Sequence, residues 1–149
     1  MFNTSKEECN MVQIIAGNKG KGKTKILLDK ANTTVAEAKG TVVYLDKSSK
    51  HMHELSKQIR LINLFDYPIR SYNAFIGFIC GILSQDYDKE YFFLDSFLKL
   101  SHLEGQDISA AIDELVTLSE AYKVTFVLSV SMDESLLPEN AKKYLIASL

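Results

Sequence analysis

The stretch Gly17-Asn18-Lys19-Gly20-Lys21-Gly22-Lys23-Thr24 satisfies G-x-x-x-x-G-K-[ST] at every fixed position. It lies between an apolar run, Met11 to Ala16, and a helical pattern from Ile26 onward. A strand, a glycine-rich turn and a helix N-terminus in succession form a concave nest of backbone N–H groups with the helix dipole aimed into it. Glycine permits φ > 0 and close approach of the backbone to a ligand. At these positions Lys23 would reach the β/γ-phosphates of a nucleotide, and the Thr24 hydroxyl would ligate Mg²⁺. Lys25, just inside the helix, completes the expected phosphate-binding set. A lysine-rich surface turn would match this pattern by chance on the order of once in a few hundred chains of this size, and the strand-to-helix placement makes coincidence rarer.

Composition sets the outer limits. At 149 residues the chain suits one domain, enough to bury about 70% of its unfolded surface. With 46% hydrophobic and 24% charged residues it has the mix of a water-soluble globular protein. A net charge of −2 supplies no global field for nucleic acid or a membrane surface. Cys9 and Cys80 are far apart, with no C-x-x-C and no secretory leader, so reduced thiols and a cytoplasmic location are expected. The most apolar window, Ala74 to Leu83, is too short for a bilayer and is followed by Asp86 and Asp88; it reads as a buried helix.

Outward from the loop, apolar runs alternate with helix-period segments, the mark of βαβ units and a mostly parallel sheet. Val12 to Ala16 is the first strand. Lys23 to about Ala38 is a helix with Ile26, Leu27 and Ala31 on its buried side. Thr41 to Asp46 is a strand, Lys47 to Gln58 a helix, and Arg60 to Phe65 a short extra strand before the Asp66-Tyr67-Pro68 turn. Tyr72 to Leu83 is a helix whose Gly77 and Gly81 are expected to let it lie close to the sheet. Glu90 to Asp95 is a strand. Asp107 is the expected cap of a helix carrying Ile108, Ala111, Ile112, Leu115 and Leu118 on one face. Val124 to Val130 is the most uniformly apolar strand and therefore central. Lys143 to Ala147 is an edge strand after Pro138.

Tyr91-Phe92-Phe93-Leu94-Asp95 is an apolar run ending in a carboxylate. At the carboxyl end of a parallel strand, that group faces the crevice where ligands bind. There Asp95 can hold Mg²⁺, usually through water, opposite Thr24. Val42-Val43-Tyr44-Leu45-Asp46 competes for the same role; a helix N-cap or solvated strand end is the plainer account of either Asp, more so for Asp46.

On these residues the chain resembles the P-loop NTPase superfamily, with a Walker A motif at 17–24 and a Walker B-like run ending at Asp95. The arrangement is similar to the RecA-like branch. That resemblance implies a three-layer α/β/α domain over residues 1–149, with a mostly parallel sheet of about five strands in the order 5-1-4-3-2. It implies ATP and Mg²⁺ as cofactors, held by residues 17–25 with Thr24 and Asp95 at the metal, and a polar residue at the end of the strand that follows Asp95, Ser129 or Ser131, sensing the γ-phosphate. In RecA-like proteins the water-activating acid sits at the end of the second strand, here Asp46, so Lys23, Asp46 and Asp95 are the implied catalytic set. More narrowly, the chain resembles short ATP-binding proteins sometimes labelled twitching-motility ATPases. Motors of that kind are several times longer, with an N-terminal domain and acidic and histidine boxes that do not appear here.

Departures from the family pattern limit the function. The position after Asp95, often Glu in ATPases of this architecture, is Ser96. The two arginines, Arg60 and Arg70, have no arginine-finger context and are too few for a small-molecule kinase that clamps two sets of phosphates. Guanine-recognition elements are absent, so ATP is favoured over GTP. Position 18 is Asn, not the signature Lys of partitioning ATPases; Lys19 and Lys21 are variable positions, at least one of them expected to face solvent. A loop of the cobalamin adenosyltransferase type also reads G-N-x-K-G-K-T in part, but is one residue shorter. His51 and His53 are two apart and cannot form an i, i+4 zinc pair. His102 and Glu104 lie where a loop could approach the nucleotide. Tyr67, Tyr72, Phe75 and Phe78 read as core, because only Arg70 interleaves with them. Two classes follow: a slow Mg²⁺-ATPase completed by a protein partner or by self-association, and a non-hydrolysing nucleotide-dependent sensor or adaptor.

Overall fold

The computed structural model describes residues 11–85 and 87–149; Cys9 and Asp86 lie outside them. Among the described residues six strands form one sheet: β1 (Val12–Ala16), β2 (Thr41–Asp46), β3 (Arg60–Asn63), β4 (Lys89–Leu94), β5 (Thr125–Val130) and β6 (Leu145–Ser148). Every pairing is parallel, and the order is β3-β2-β4-β5-β1-β6. The helices between them are α1 (Lys23–Glu37), α2 (Tyr72–Leu83), α3 (Phe97–Leu100), α4 (Ser109–Tyr122) and α5 (Glu139–Lys142).

Strand side chains alternate between faces, and this alternation builds two cores. Val12, Ile14 and Ala16 of β1, Phe92 and Leu94 of β4, and Phe126 and Leu128 of β5 share one cluster with Phe75, Ile79, Phe97, Ile112 and Leu115 of the helices. Phe92 and Phe126 meet there at 5.4 Å between ring centroids. Ile15, Tyr44, Phe93 and Val127 face the other way, against Leu27, Leu28 and Ala31 of α1 and against Leu55 and Ile59. Helix α1 thus covers one face and α2, α3 and α4 the other. Each fully buried Leu, Ile or Phe contributes about 1.5–3 kcal/mol, so the strands buried on both faces anchor the domain.

The register matters most at the carboxyl edge. Leu45 lies opposite Leu94, and Leu94 opposite Leu128. The residues that follow, Asp46, Asp95 and Ser129, therefore emerge side by side. Ala16 lies opposite Val130, so the loop beginning at Gly17 leaves the sheet at the same edge.

Several expectations need correction. The sheet has six strands rather than about five, and its order is not 5-1-4-3-2, because Arg60–Asn63 pairs with β2 and extends the sheet beyond it. Lys47 to Gln58 is not a helix. Local bonds compete: the Ser49 carbonyl accepts from Met52 N, and the Ser56 hydroxyl accepts from Gln58 N. Asn32 of α1 holds the end of this segment, donating to the Glu54 carbonyl and accepting from Ser56 N, both at 2.8 Å. Only Met52–Glu54 coils, as a 3-10 turn. Gly77 and Gly81 do not face the sheet; they lie exposed on the outer side of α2, with open space where a Cβ would stand. Ala74 to Leu83 is accordingly only half buried. Asp107 holds Ser109 N at 3.0 Å, but the helix cap position is Ile108. No helix among the described residues is long and apolar enough to cross a membrane.

Candidate functional site

The loop Gly17–Thr24 joins β1 to α1. Gly20 and Gly22 have φ of 85° and 93°, the left-handed region that costs L side chains strain. A Cβ added to either would meet no atom within 4 Å. Their glycine identity is thus a matter of backbone shape. Gly17 differs: a Cβ there would meet the Leu149 side chain at 3.0 Å, beside the bond from Leu149 N to the Ala16 carbonyl. It is small to admit the strand after Tyr144.

Helix α1 opens at Lys23 with no side-chain cap and no acid in its first turn. Its leading N–H groups therefore present an uncompensated positive end, the arrangement that suits an anion. Lys23 is buried and donates from Nζ to the Asn18 carbonyl at 3.2 Å. Burial lowers its pKa, the negative charge of Asp95 opposes this, and Lys47 reinforces it.

Asp95 gathers the opposite wall and is itself buried. Its Oδ1 accepts from Thr24 Oγ1 at 3.2 Å and from Ser129 Oγ at 3.0 Å. Its Oδ2 accepts from the Tyr44 phenol at 2.9 Å. Ser129 in turn accepts from Ser96 N at 2.7 Å, and Ser96 stands in the left-handed region at φ 59°. Burial, and then Asp95, push the Tyr44 phenol pKa far upward, so it remains a donor. The three donors fix the carboxylate so that Oδ1 faces the start of α1.

Asp46 ends β2 at 2% exposure. Its Oδ1 accepts from Lys47 N at 2.7 Å, while buried Oδ2 has no hydrogen-bond partner among the described residues. Burial and the charge of Asp95 raise its pKa.

Lys19, Gly20, Gly22, Lys23, Thr24 and Asp95, with Lys47, Ser96, Ser129 and Ser131, surround a hollow of about 170 Å³. The structure therefore brings Lys23, Thr24, Asp95 and Ser129 together around one hollow. Asp46 is not on the lining. Lys25 turns outward and pairs with Asp29 at 3.5 Å on the exposed side of α1. Asn18 is off the lining and its carbonyl accepts from Lys23 Nζ, and exposed Lys21 is off the hollow as well. His102 bonds the Ile69 carbonyl at 2.8 Å, and His51 pairs with Glu54 at 2.9 Å.

Tyr44 and Lys47 are site residues that the sequence alone did not single out. Tyr44 shares strand parity with Asp46, and a buried tyrosine needs a partner for its hydroxyl; that signal is present in Val-Val-Tyr-Leu-Asp. Lys47 is hidden in the segment expected to be a helix. No family model matches the chain, and no curated protein matches it either.

Proposed function

We propose that this chain is an ATP–Mg²⁺-binding protein of the P-loop NTPase superfamily, of the RecA-like branch, and that it hydrolyses ATP slowly. The observation that carries the reading is the 3.2 Å bond between Thr24 Oγ1 and Asp95 Oδ1 at the uncapped start of α1. A hydroxyl and a carboxylate oxygen in contact, beside a buried ammonium and open helix amides, form a donor set that fits a magnesium–phosphate pair. Mg²⁺ demands oxygen ligands and keeps several waters, so one or two protein oxygens with the phosphates suffice. The bound metal would supply charge neutralisation at the phosphates. Lys23 would neutralise the β/γ oxygens, the α1 amides would cradle them, and Ser129 would hold Asp95 in place and sense the terminal phosphate through it. The topology supports the same branch: leaving β3 aside, the strands run β6-β1-β5-β4-β2, which is the succession 5-1-4-3-2. A cytoplasmic setting belongs to this proposal, because that compartment supplies ATP and Mg²⁺.

A nucleotide-dependent sensor without turnover is the second reading. It is favoured by Ser96 at the position that a water-orienting Glu often holds, and by Asp46 lying off the hollow. Phosphate release measured with and without Mg²⁺ separates the two. The ATPase reading expects slow, Mg²⁺-dependent release that is abolished in Asp95→Ala. Tight binding of ATP–Mg²⁺ with no release, alone or on self-association, selects the sensor. Absence of ATP binding removes both.

A further inference from the structure

A second hollow, of about 270 Å³, adjoins the first and shares Lys19, Lys47, Ser96 and Ser131 with it. Lys99 of α3 and Glu104 belong to the second hollow alone. Three lysines and one glutamate thus line this concavity in a chain whose net charge is −2. Among the described residues, none of the three lysines has an ion-pair partner. Among the same residues, the hydroxyls of Ser96 and Ser131 make no hydrogen bond. Like charges gathered around a low-dielectric concavity repel one another, and their field concentrates small anions. The donors left open here are ones an oxyanion accepts from: ammonium N–H and hydroxyl O–H.

We propose that the hollow between Lys19, Lys47 and Lys99 is a second oxyanion site, for a phosphate or a small carboxylate, directly beside the loop hollow. The inference rests on the reading that the loop hollow takes the triphosphate. The second ligand then lies beyond Asp95 on the Ser96 side, where either the phosphate released by hydrolysis or a separate small acid would sit. Leu98 and Gly105 form its uncharged wall. Glu104 is the one acid on the lining; a carboxylate there favours a ligand carrying a hydroxyl that it can accept from.

The test titrates inorganic phosphate, and separately lactate, into the full chain saturated with Mg²⁺ and a non-hydrolysable ATP analogue, followed by calorimetry. Lys99→Ala is the diagnostic variant, because Lys99 touches only the second hollow. The expected result is one bound phosphate, with affinity about tenfold weaker or worse in Lys99→Ala and restored in Lys99→Arg, while affinity for the analogue changes by less than about twofold. Phosphate binding alone assigns the site to released phosphate; Lys99-dependent lactate binding of similar strength assigns it to a separate carboxylate. Failure of both probes to bind below about 10 mM, or binding that Lys99→Ala leaves unchanged, overturns the proposal. If the analogue does not bind the parent chain, the triphosphate reading falls by itself. Phosphate titrated into Lys23→Ala without nucleotide still reads the second site, where loss of binding on adding Lys99→Ala upholds it and indifference overturns it.

Discussion

Tyr44 and Asp95 meet across the β2–β4 pair, the phenol donating to Asp95 Oδ2 over 2.9 Å with both groups buried. Tyr44 also stacks on Phe93, its register partner, at 6.1 Å between centroids. A rigid aromatic lever therefore sets the rotation of the carboxylate whose other oxygen faces Thr24.

Tyr44→Phe keeps the ring and removes only that donor. A buried carboxylate oxygen left without a partner costs about 1–3 kcal/mol. Urea unfolding should show that loss with an unchanged m-value. The Mg²⁺ concentration needed for half-maximal ATP binding should rise, whereas a purely structural role would leave it where it was. A stability change below about 0.5 kcal/mol would speak against the lever.

Gly22→Ala separates backbone shape from crowding. There is open space around the position, so the cost comes from φ 93° alone, about 1–2 kcal/mol. Thermal unfolding should register that loss, with weaker nucleotide binding because the first α1 amides shift. Gly17→Ala should cost stability through its contact with Leu149 instead, with a smaller effect on nucleotide binding.

Asp46 gives a pH signature. Its carboxyl pKa is raised in the folded chain, so the folded state binds more protons than the unfolded state between the two pKa values. Stability therefore falls as pH climbs from the unfolded value of about 4 through the raised one, and stays lower above it. Asp46→Asn keeps an acceptor for Lys47 N and removes the buried charge. Its unfolding free energy should lose this fall and exceed that of the parent at pH 7. A variant that follows the parent's pH profile would show that Asp46 ionises freely in the fold.

Much of the fold and site is legible in the residues. The Gly17–Thr24 spacing, set between Val12–Ala16 and a helical period, locates the β1–α1 turn, and Tyr-Phe-Phe-Leu-Asp puts Asp95 at a strand end. The uniform apolarity of Val124 to Val130 marks β5 as interior. What the residues do not reveal is decided by long-range contacts. Nothing local in Lys47 to Gln58 announces that Asn32, more than twenty residues upstream of Glu54 and Ser56, satisfies its backbone. The pairing of Arg60–Asn63 with β2 depends on register, not composition. Gly77 and Gly81 sit on a helix so apolar that its exposed side has no polar period to mark it. Tyr44 is readable by parity, yet its partner lies on another strand.

The most direct test of the account is the affinity of Lys23→Ala for ATP–Mg²⁺, measured by calorimetry beside a thermal melt. Lys23 is buried, bonded to the Asn18 carbonyl and set on the loop hollow. Removing it should weaken binding about a hundredfold, as loss of a charge-assisted contact does, without lowering the melting temperature. A variant that melts like the parent and binds ATP–Mg²⁺ equally well would contradict the claim that this loop holds a triphosphate.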